Sequence, residues 1–431
     1  MRRVVVTGVG VVSPFGIGAI SFWQNLIAGH CAIKRVSSFD PSGFSCHIAA
    51  EVPAYKISDY VPKTYRKATK VMARDIELAV IAADDCFKNS GLQSKAYTEK
   101  PTFDPSRFGC NIGAGLISAD LNELTAAFHV ARDGAALDLK KWGTEGMAQL
   151  TPLWLLKYLP NMLACHVTIV HGLKGPSNTI TCADASGHLA IGEAFRTIQR
   201  GDADRAICGG AQSRVNPMGF MRQQFLGRLT TQCNDDPEKA VRPFDVSASG
   251  SVLGEGGGLL ILEELGAAKA RGANILCELA GFGASQDAYS ISEPDPSGVA
   301  YAAAITKSLA DAGVAPGAVS CLIPCGTGNP IPDKAELTGL RKAFGDNLAT
   351  VPMGLPKSQT GYLEAGNALD CVTAVLSIAN GVIPPAINTR NIIGGERLNV
   401  AAEARTQKVN VAVSTVWSIG GQNASLVFKK A

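Results

Sequence analysis

The stretch Gly175-Pro176-Ser177-Asn178-Thr179-Ile180-Thr181-Cys182-Ala183-Asp184-Ala185-Ser186-Gly187-His188 brings a thiol, a carboxylate, a hydroxyl and an imidazole together in close succession. Its pattern reads as a strand, a sharp turn and the start of a helix. A side chain at such a turn faces the free backbone N–H groups of the helix. Asp184 there can cap the helix N-terminus, which is its plainest role. Cys182 can serve as a displaced nucleophile if its surroundings favour the thiolate. The bland alternative is a small buried residue. Ser186 is not a nucleophile of the hydrolase type, because the Gly-x-Ser-x-Gly frame is absent.

Other reactive residues are few. Cys321 and Cys325 lie four residues apart, but no second ligand pair accompanies them, so no metal site is expected. The 12 cysteines are scattered and contain no CxxC, which argues for reduced thiols rather than a disulfide frame. The six histidines are 30, 47, 129, 166, 171 and 188, so the second half of the chain has no imidazole at all. Gly8-Val9-Gly10 resembles the start of a dinucleotide loop. The third glycine is misplaced and Pro14 interrupts the expected helix, so the segment is read as a structural turn.

These residues need a scaffold to position them. The chain has 431 residues, 46% of them hydrophobic and 18% charged, which is enough apolar material for a large buried core. A formal net charge of +3 without any Lys/Arg block gives no support to nucleic-acid or membrane-surface binding. Gly8, Gly10, Pro14, Gly16 and Gly18 break the apolar run from Val4 to Ile20, which makes it a poor membrane span. With a strand-like start and no signal peptide, a soluble cytoplasmic protein is expected.

Strands are expected over 1–12, 108–113, 178–182, 205–211, within 250–264, and over 276–282, 321–324 and 409–414, the last closing the chain. Helices are expected over 72–90, 120–132, within 153–169, and over 187–200, 301–312, 333–344 and 367–379. Strands and helices alternate twice over, so the fold is expected to be two stacked α/β halves, with no mobile linker between them.

Several segments, spread almost end to end, carry a resemblance. They are Val6-Thr7-Gly8-Val9-Gly10, the stretch from Gly175 to His188, Gly209-Gly210-Ala211, Arg242-Pro243-Phe244-Asp245 and Gly254-Glu255-Gly256-Gly257-Gly258. Asp333-Lys334-Ala335-Glu336, Lys357-Ser358-Gln359-Thr360-Gly361 and Gly420-Gly421-Gln422-Asn423 complete the set. Together they resemble the β-ketoacyl-acyl-carrier-protein synthases of the thiolase superfamily. The resemblance implies a five-layer αβαβα fold with two similar halves, 1–265 and 266–431, and an extended dimer interface.

In that family a cysteine at a helix N-terminus takes the acyl chain as a thioester. Two histidines then drive malonyl decarboxylation and stabilise the enolate. Carried over by motif, the cysteine position falls on Asp184, and the histidine positions fall on Cys325 and Tyr362. Only Lys357, which buttresses the second histidine, is retained. A carboxylate at the elbow would repel the developing enolate, and a thiol at 325 cannot replace imidazole at neutral pH.

The resemblance further places Leu116 in the acyl pocket, Trp154 at the position that reaches across the interface, and Ile419 at the gating position beside the elbow. Thr327 and Ser292 sit where the family holds the pantetheine arm. No metal and no tightly bound cofactor are implied; the substrate travels on the phosphopantetheine of an acyl carrier protein. Type II polyketide and polyene systems pair an active ketosynthase with a degenerate sister, the chain length factor, which shapes the tunnel at the dimer interface. The expected role is therefore a non-condensing subunit in a heterodimer with an active ketosynthase. That group usually carries glutamine at the elbow, and here Asp184 stands. Two other roles stay open. One is an active 3-oxoacyl-acyl-carrier-protein synthase or malonyl decarboxylase using Cys182 or Cys325. The other is a homodimer that only binds acyl carriers.

Overall fold

The computed structural model describes residues 1–431. Strands β1 (Val4–Ser13), β2 (Phe108–Gly113), β3 (Ser177–Ile180), β4 (Arg205–Ser213) and β5 (Glu255–Glu264) form one arm of a ten-stranded sheet. Strands β6 (Cys277–Gln286), β7 (Cys321–Ile323), β8 (Val411–Trp417) and β9 (Gln422–Lys429) form the other. The tenth strand is the short Gly16–Ile17, folded back on β1.

The first arm runs β3-β2-β4-β5-β1, with two parallel pairings followed by two antiparallel ones. The second runs β7-β8-β9-β6, with one parallel pairing followed by two antiparallel ones. A parallel bridge from Leu322 to Met353 adds the missing outer position. Each arm thus repeats the order of the other. They meet where Val4, Val5 and Val6 pair with Leu279, Glu278 and Cys277.

Helices α1 (Arg74–Ser90) and α2 (Met162–His171) cover the outside of the first arm. Helices α3 (Ser186–Arg200), α4 (Val299–Ala312), α5 (Pro330–Phe344) and α6 (Ala368–Asn380) follow in the chain. Of these, α4 and α5 cover the outside of the second arm, while α3 and α6 lie between the arms and touch strands of both. The result is the five-layer αβαβα order of a thiolase-like fold. The middle layer explains the composition of α6: every residue from Ala368 to Ile378 is buried, because a sheet lies on either side. Its contact with α3 is close. A β-carbon at Gly187 would lie 2.6 Å from Ala368 Cβ, so only glycine fits there.

Some expectations need correction. Gly8 and Gly10 are not in a turn; both sit inside β1, where a β-carbon at Gly10 would fall 2.0 Å from the Ala82 carbonyl oxygen on α1. Those glycines serve helix–sheet contact. The chain does not end on the strand near 409–414, because β9 folds back antiparallel on β8. The turn between them uses Gly420 and Gly421, both with φ of 86°. The first-arm strand before the elbow stops at Ile180, so Cys182 lies outside it.

Candidate functional site

The elbow lies at the join of β3, α3 and the loop after β8. Ala183 holds φ at 43°, in the left-handed region, although it is not glycine. Such a residue is strained, and the surrounding structure must hold it there. Cys182 N–H donates to Ser186 Oγ at 2.8 Å, and Ser186 Oγ donates to the Ala183 carbonyl at 2.7 Å. The turn is thus held by Ser186.

Asp184 is fully buried, and it is not the helix cap that its type suggests. Helix α3 has Ala185 at its N-cap and no side-chain cap bond. The Asp184 carboxylate turns the other way. Tyr362 donates its hydroxyl to Oδ1, Ile419 N–H donates to Oδ2 at 3.2 Å, and the Ser418 hydroxyl approaches Oδ2 at 3.4 Å. Burial pushes the Asp184 carboxyl up to about 6; Glu364 adds to the rise, and Arg228 and the Ile419 N–H oppose it. Three residues singled out from the sequence, Asp184, Tyr362 and Ile419, therefore meet in one hydrogen-bonded cluster.

Cys325 is buried next to the same cluster, on the loop that follows β7. Helix α5 holds this loop from below with two carboxylates. Glu336 accepts from Cys325 N–H at 2.7 Å and Gly326 N–H at 2.8 Å, while Asp333 accepts from Thr327 N–H at 2.8 Å and Gly328 N–H at 3.0 Å. The Asp333-Lys334-Ala335-Glu336 segment thus positions a loop, a role that its sequence match did not reveal. Burial pushes the Cys325 thiol well above its ordinary value. Cys182, half-buried, is also pushed up by burial. Neither surrounding favours a thiolate. Lys357 is buried and paired with Asp370 on α6.

A narrow pocket of about 10 Å³, room for roughly one water molecule, reaches this cluster from outside. Thr327, Asn329, Arg228, Trp417 and Tyr362 are among its walls, whereas Asp184, Cys182 and Cys325 do not line it. Tyr362 thus stands between the pocket and the elbow. Ser292 is placed beside the pocket: its carbonyl accepts from Arg228 Nη2 at 2.7 Å. Leu116 and Trp154 lie elsewhere. Leu116 is 56% exposed on this single chain, and Trp154 packs at a tilt against Tyr158 with ring centroids 4.9 Å apart. Leu121, Leu139, Met147 and Leu155 are exposed as well. No group of three or more His, Cys, Asp or Glu side chains is placed to hold a metal ion. No helix is long and apolar enough to cross a membrane.

Sequence reasoning missed the polar residues behind the elbow. Glu364, itself at φ 47°, accepts from Arg214 Nε at 2.8 Å and Gln223 Nε2 at 2.7 Å. The sequence offered no spacing signal for these partners, because 141 to 150 residues separate them.

The arrangement defines a class before it defines a member: a thiolase-type scaffold with a strained elbow between two similar halves. The chain superposes on the ishigamide ketosynthase/chain length factor with a TM-score of 0.85, at 28% identity, covering 100% of this chain and 99% of that one. A β-ketoacyl synthase from Burkholderia phymatum STM815 matches with the same TM-score at 27% identity, both chains being covered in full. The family model for the N-terminal domain of β-ketoacyl synthases matches residues 1–268, and that for the C-terminal domain matches residues 276–390. This chain belongs to the β-ketoacyl synthase family. Among its relatives, "3-oxoacyl-[acyl-carrier-protein] synthase 2" of Coxiella burnetii is 36% identical over 100% of this chain and 99% of its own length. The protein of the same name from Staphylococcus aureus is 33% identical over 100% of this chain and 98% of its own.

Proposed function

We propose that this chain is a non-condensing ketosynthase subunit. It pairs with an active β-ketoacyl synthase as a chain length factor and shapes the acyl tunnel in type II polyketide, polyene or fatty-acid-like biosynthesis. The observation that carries the reading is the Tyr362–Asp184 hydrogen bond. At the positions where the family keeps a histidine and a nucleophilic cysteine, this chain places a phenol bonded to a buried carboxylate. Such a pair can neither carry an acyl chain as a thioester nor polarise a malonyl carbonyl with imidazole. The third position, Cys325, is a buried thiol that burial pushes well above its ordinary value.

The partner supplies the reactive cysteine and both histidines, and the acyl carrier protein delivers phosphopantetheine to the partner's site. No cofactor is bound tightly by this chain. Leu116 lines the acyl pocket, and Trp154 reaches across the interface to the partner. The halves 1–265 and 266–431 are the two units of this subunit. A likeness to the ishigamide ketosynthase/chain length factor supports the reading.

A second reading is favoured by the relatives' names, which are those of 3-oxoacyl-acyl-carrier-protein synthases. In that case Cys182 or Cys325 would be a relocated nucleophile in an active synthase or malonyl decarboxylase. One experiment separates the two. The chain is co-expressed with a ketosynthase encoded beside it, purified by a tag on this chain alone, and assayed for condensation of malonyl and acyl carrier protein. Under the first reading the partner co-purifies, and activity needs the partner's cysteine but survives Asp184→Ala, Cys182→Ala and Cys325→Ala. Turnover by this chain alone, abolished by Cys182→Ala or Cys325→Ala, would establish the second reading instead.

A further inference from the structure

Buried carboxylates in this protein are well matched, with one exception. Asp84, Glu255, Glu263, Glu364 and Asp370 each pair with a lysine or an arginine. Asp184, Asp245, Asp333 and Glu336 are each held by three or more hydrogen-bonding groups. Asp75, in the first turn of α1, is 5% exposed and forms no salt bridge. The one hydrogen bond that its side chain accepts from another residue comes from Ser213 N–H to Oδ1 at 3.1 Å. A carboxylate has about four acceptor sites, and a buried charge without a partner is costly. Burial pushes the Asp75 carboxyl up to about 7; Ser213 N–H and Arg214 oppose the rise, and Glu255 adds to it.

Asp75 lines a cavity of about 530 Å³ beside the end of β4. Two cations stand in the same walls, but both are already neutralised. Arg74 donates to both oxygens of Glu255, at 2.6 and 2.5 Å, and Lys157 pairs with Glu123. Asp75 and Asp120 are left without a cation, so the cavity carries an excess of negative charge. It opens at the surface, where Asp120 and Leu121 are exposed. Tyr158 is also in its wall, and Trp154 packs against that ring. The cavity therefore adjoins the face that the proposed function sets against the partner.

We infer that this cavity receives an arginine side chain of the partner ketosynthase, whose guanidinium pairs with Asp75 after passing Asp120 at the rim. A guanidinium supplies the missing positive charge, and its planar fork matches the carboxylate oxygens. Arginine fits better than lysine, because it is more weakly hydrated and loses less on entering a buried interface. Phe39 and Tyr158 add aromatic rings to the walls, which suit a guanidinium further. The inference rests on the heterodimer reading and adds to it a means of partner choice. A ketosynthase lacking that arginine would bury Asp75 unpaired and be rejected.

The test is the affinity of the full-length chain for the ketosynthase encoded beside it, measured by biolayer interferometry for the wild type and for Asp75→Asn. The variant should bind about thirtyfold more weakly or worse, because the partner's guanidinium is left buried and unpaired. The isolated variant should unfold in urea no earlier than the wild type, since the lost carboxylate had no counter-ion there. Phenylglyoxal labelling with peptide mass spectrometry should find one partner arginine protected in the wild-type complex and modified in the Asp75→Asn complex. If Asp75→Asn does not fold, Asp120→Asn takes its place. Asparagine keeps the hydrogen bond to Asn122 N–H, and affinity should fall about threefold, as for an exposed pair. Unchanged affinity in a folded variant, with the wild-type complex formed, overturns the inference and leaves the heterodimer reading standing. A wild-type chain that binds no ketosynthase overturns both. Micromolar binding of agmatine to the isolated chain, abolished by Asp75→Asn, would give the cavity to a free amine and overturn its assignment to the partner.

Discussion

Replacing Asp184 by asparagine removes a charge but keeps the shape of the side chain. The consequence depends on pH, and its size follows from burial. The Asp184 carboxyl is pushed up to about 6 in the folded protein, whereas an unfolded aspartate titrates near 3.9. Below pH ~4 the folded and unfolded chains both hold the proton, and the residue costs no charge burial. As the pH rises, the unfolded chain releases its proton first. The folded state must then either keep the proton or bury the charge, and stability falls until the pH passes about 6. The full difference is about 3 kcal/mol. Asp184→Asn cannot titrate. Its stability relative to the wild type should therefore rise by about 3 kcal/mol across that window, whatever constant offset the amide introduces. Urea unfolding of both proteins at a series of pH values measures it. Asp75, Asp333 and Glu336 are also pushed up by burial, but they are common to both proteins and cancel in the difference. Parallel curves would refute the reasoning, because Asp184 would then not titrate in this range. A difference of the opposite sign would mean that Arg228 and the Ile419 N–H outweigh burial.

Tyr362 should shield the elbow chemically. In a Cys182→Ala background, Asp184→Cys should resist iodoacetamide, and adding Tyr362→Ala should expose it; peptide mass spectrometry reads the outcome, and equal labelling of both proteins would refute the shield. Asp184→Cys by itself should not give this chain condensing activity, because neither Cys325 nor Tyr362 supplies imidazole; β-ketoacyl product from the isolated variant would contradict that. Lys357→Met should cost about 3–5 kcal/mol by stranding the buried Asp370 carboxylate, and Lys357→Met with Asp370→Leu should recover most of the loss. Equal destabilisation of the single and double variants in urea would show that the pair is not coupled.

Much of the scaffold can be read from the sequence, because its strands and helices carry their periodicity on themselves. Helix α1 is an example: Ile76, Leu78, Ala79, Ile81 and Ala82 fix it without help from the rest of the chain. The positions of Asp184, Cys325 and Tyr362 are also legible, since motif residues flank each of them. What they do is not. The carboxylate of Asp184 could be assigned to helix capping only by local rules, and its true partners lie 178 and 235 residues away. Short-range preference loses here to a contact that exists only after the layers close.

The placement of Asp184, Cys325 and Tyr362 has a consequence for how such a framework tolerates change. Cys325 and Tyr362 lie outside the helices and strands, and Asp184 lies in the short 3₁₀ turn Ala183–Ala185 just before α3. The backbone of Tyr362 bonds to Val252 and Gly254, contacts that any side chain would allow. None of the three contributes a rung to the main sheet. A lineage can therefore exchange its reactive groups one after another while the layered framework stays intact. The elbow holds its backbone strain at Ala183 beside the buried Asp184 carboxylate, and the layers packed around it keep that strain in place.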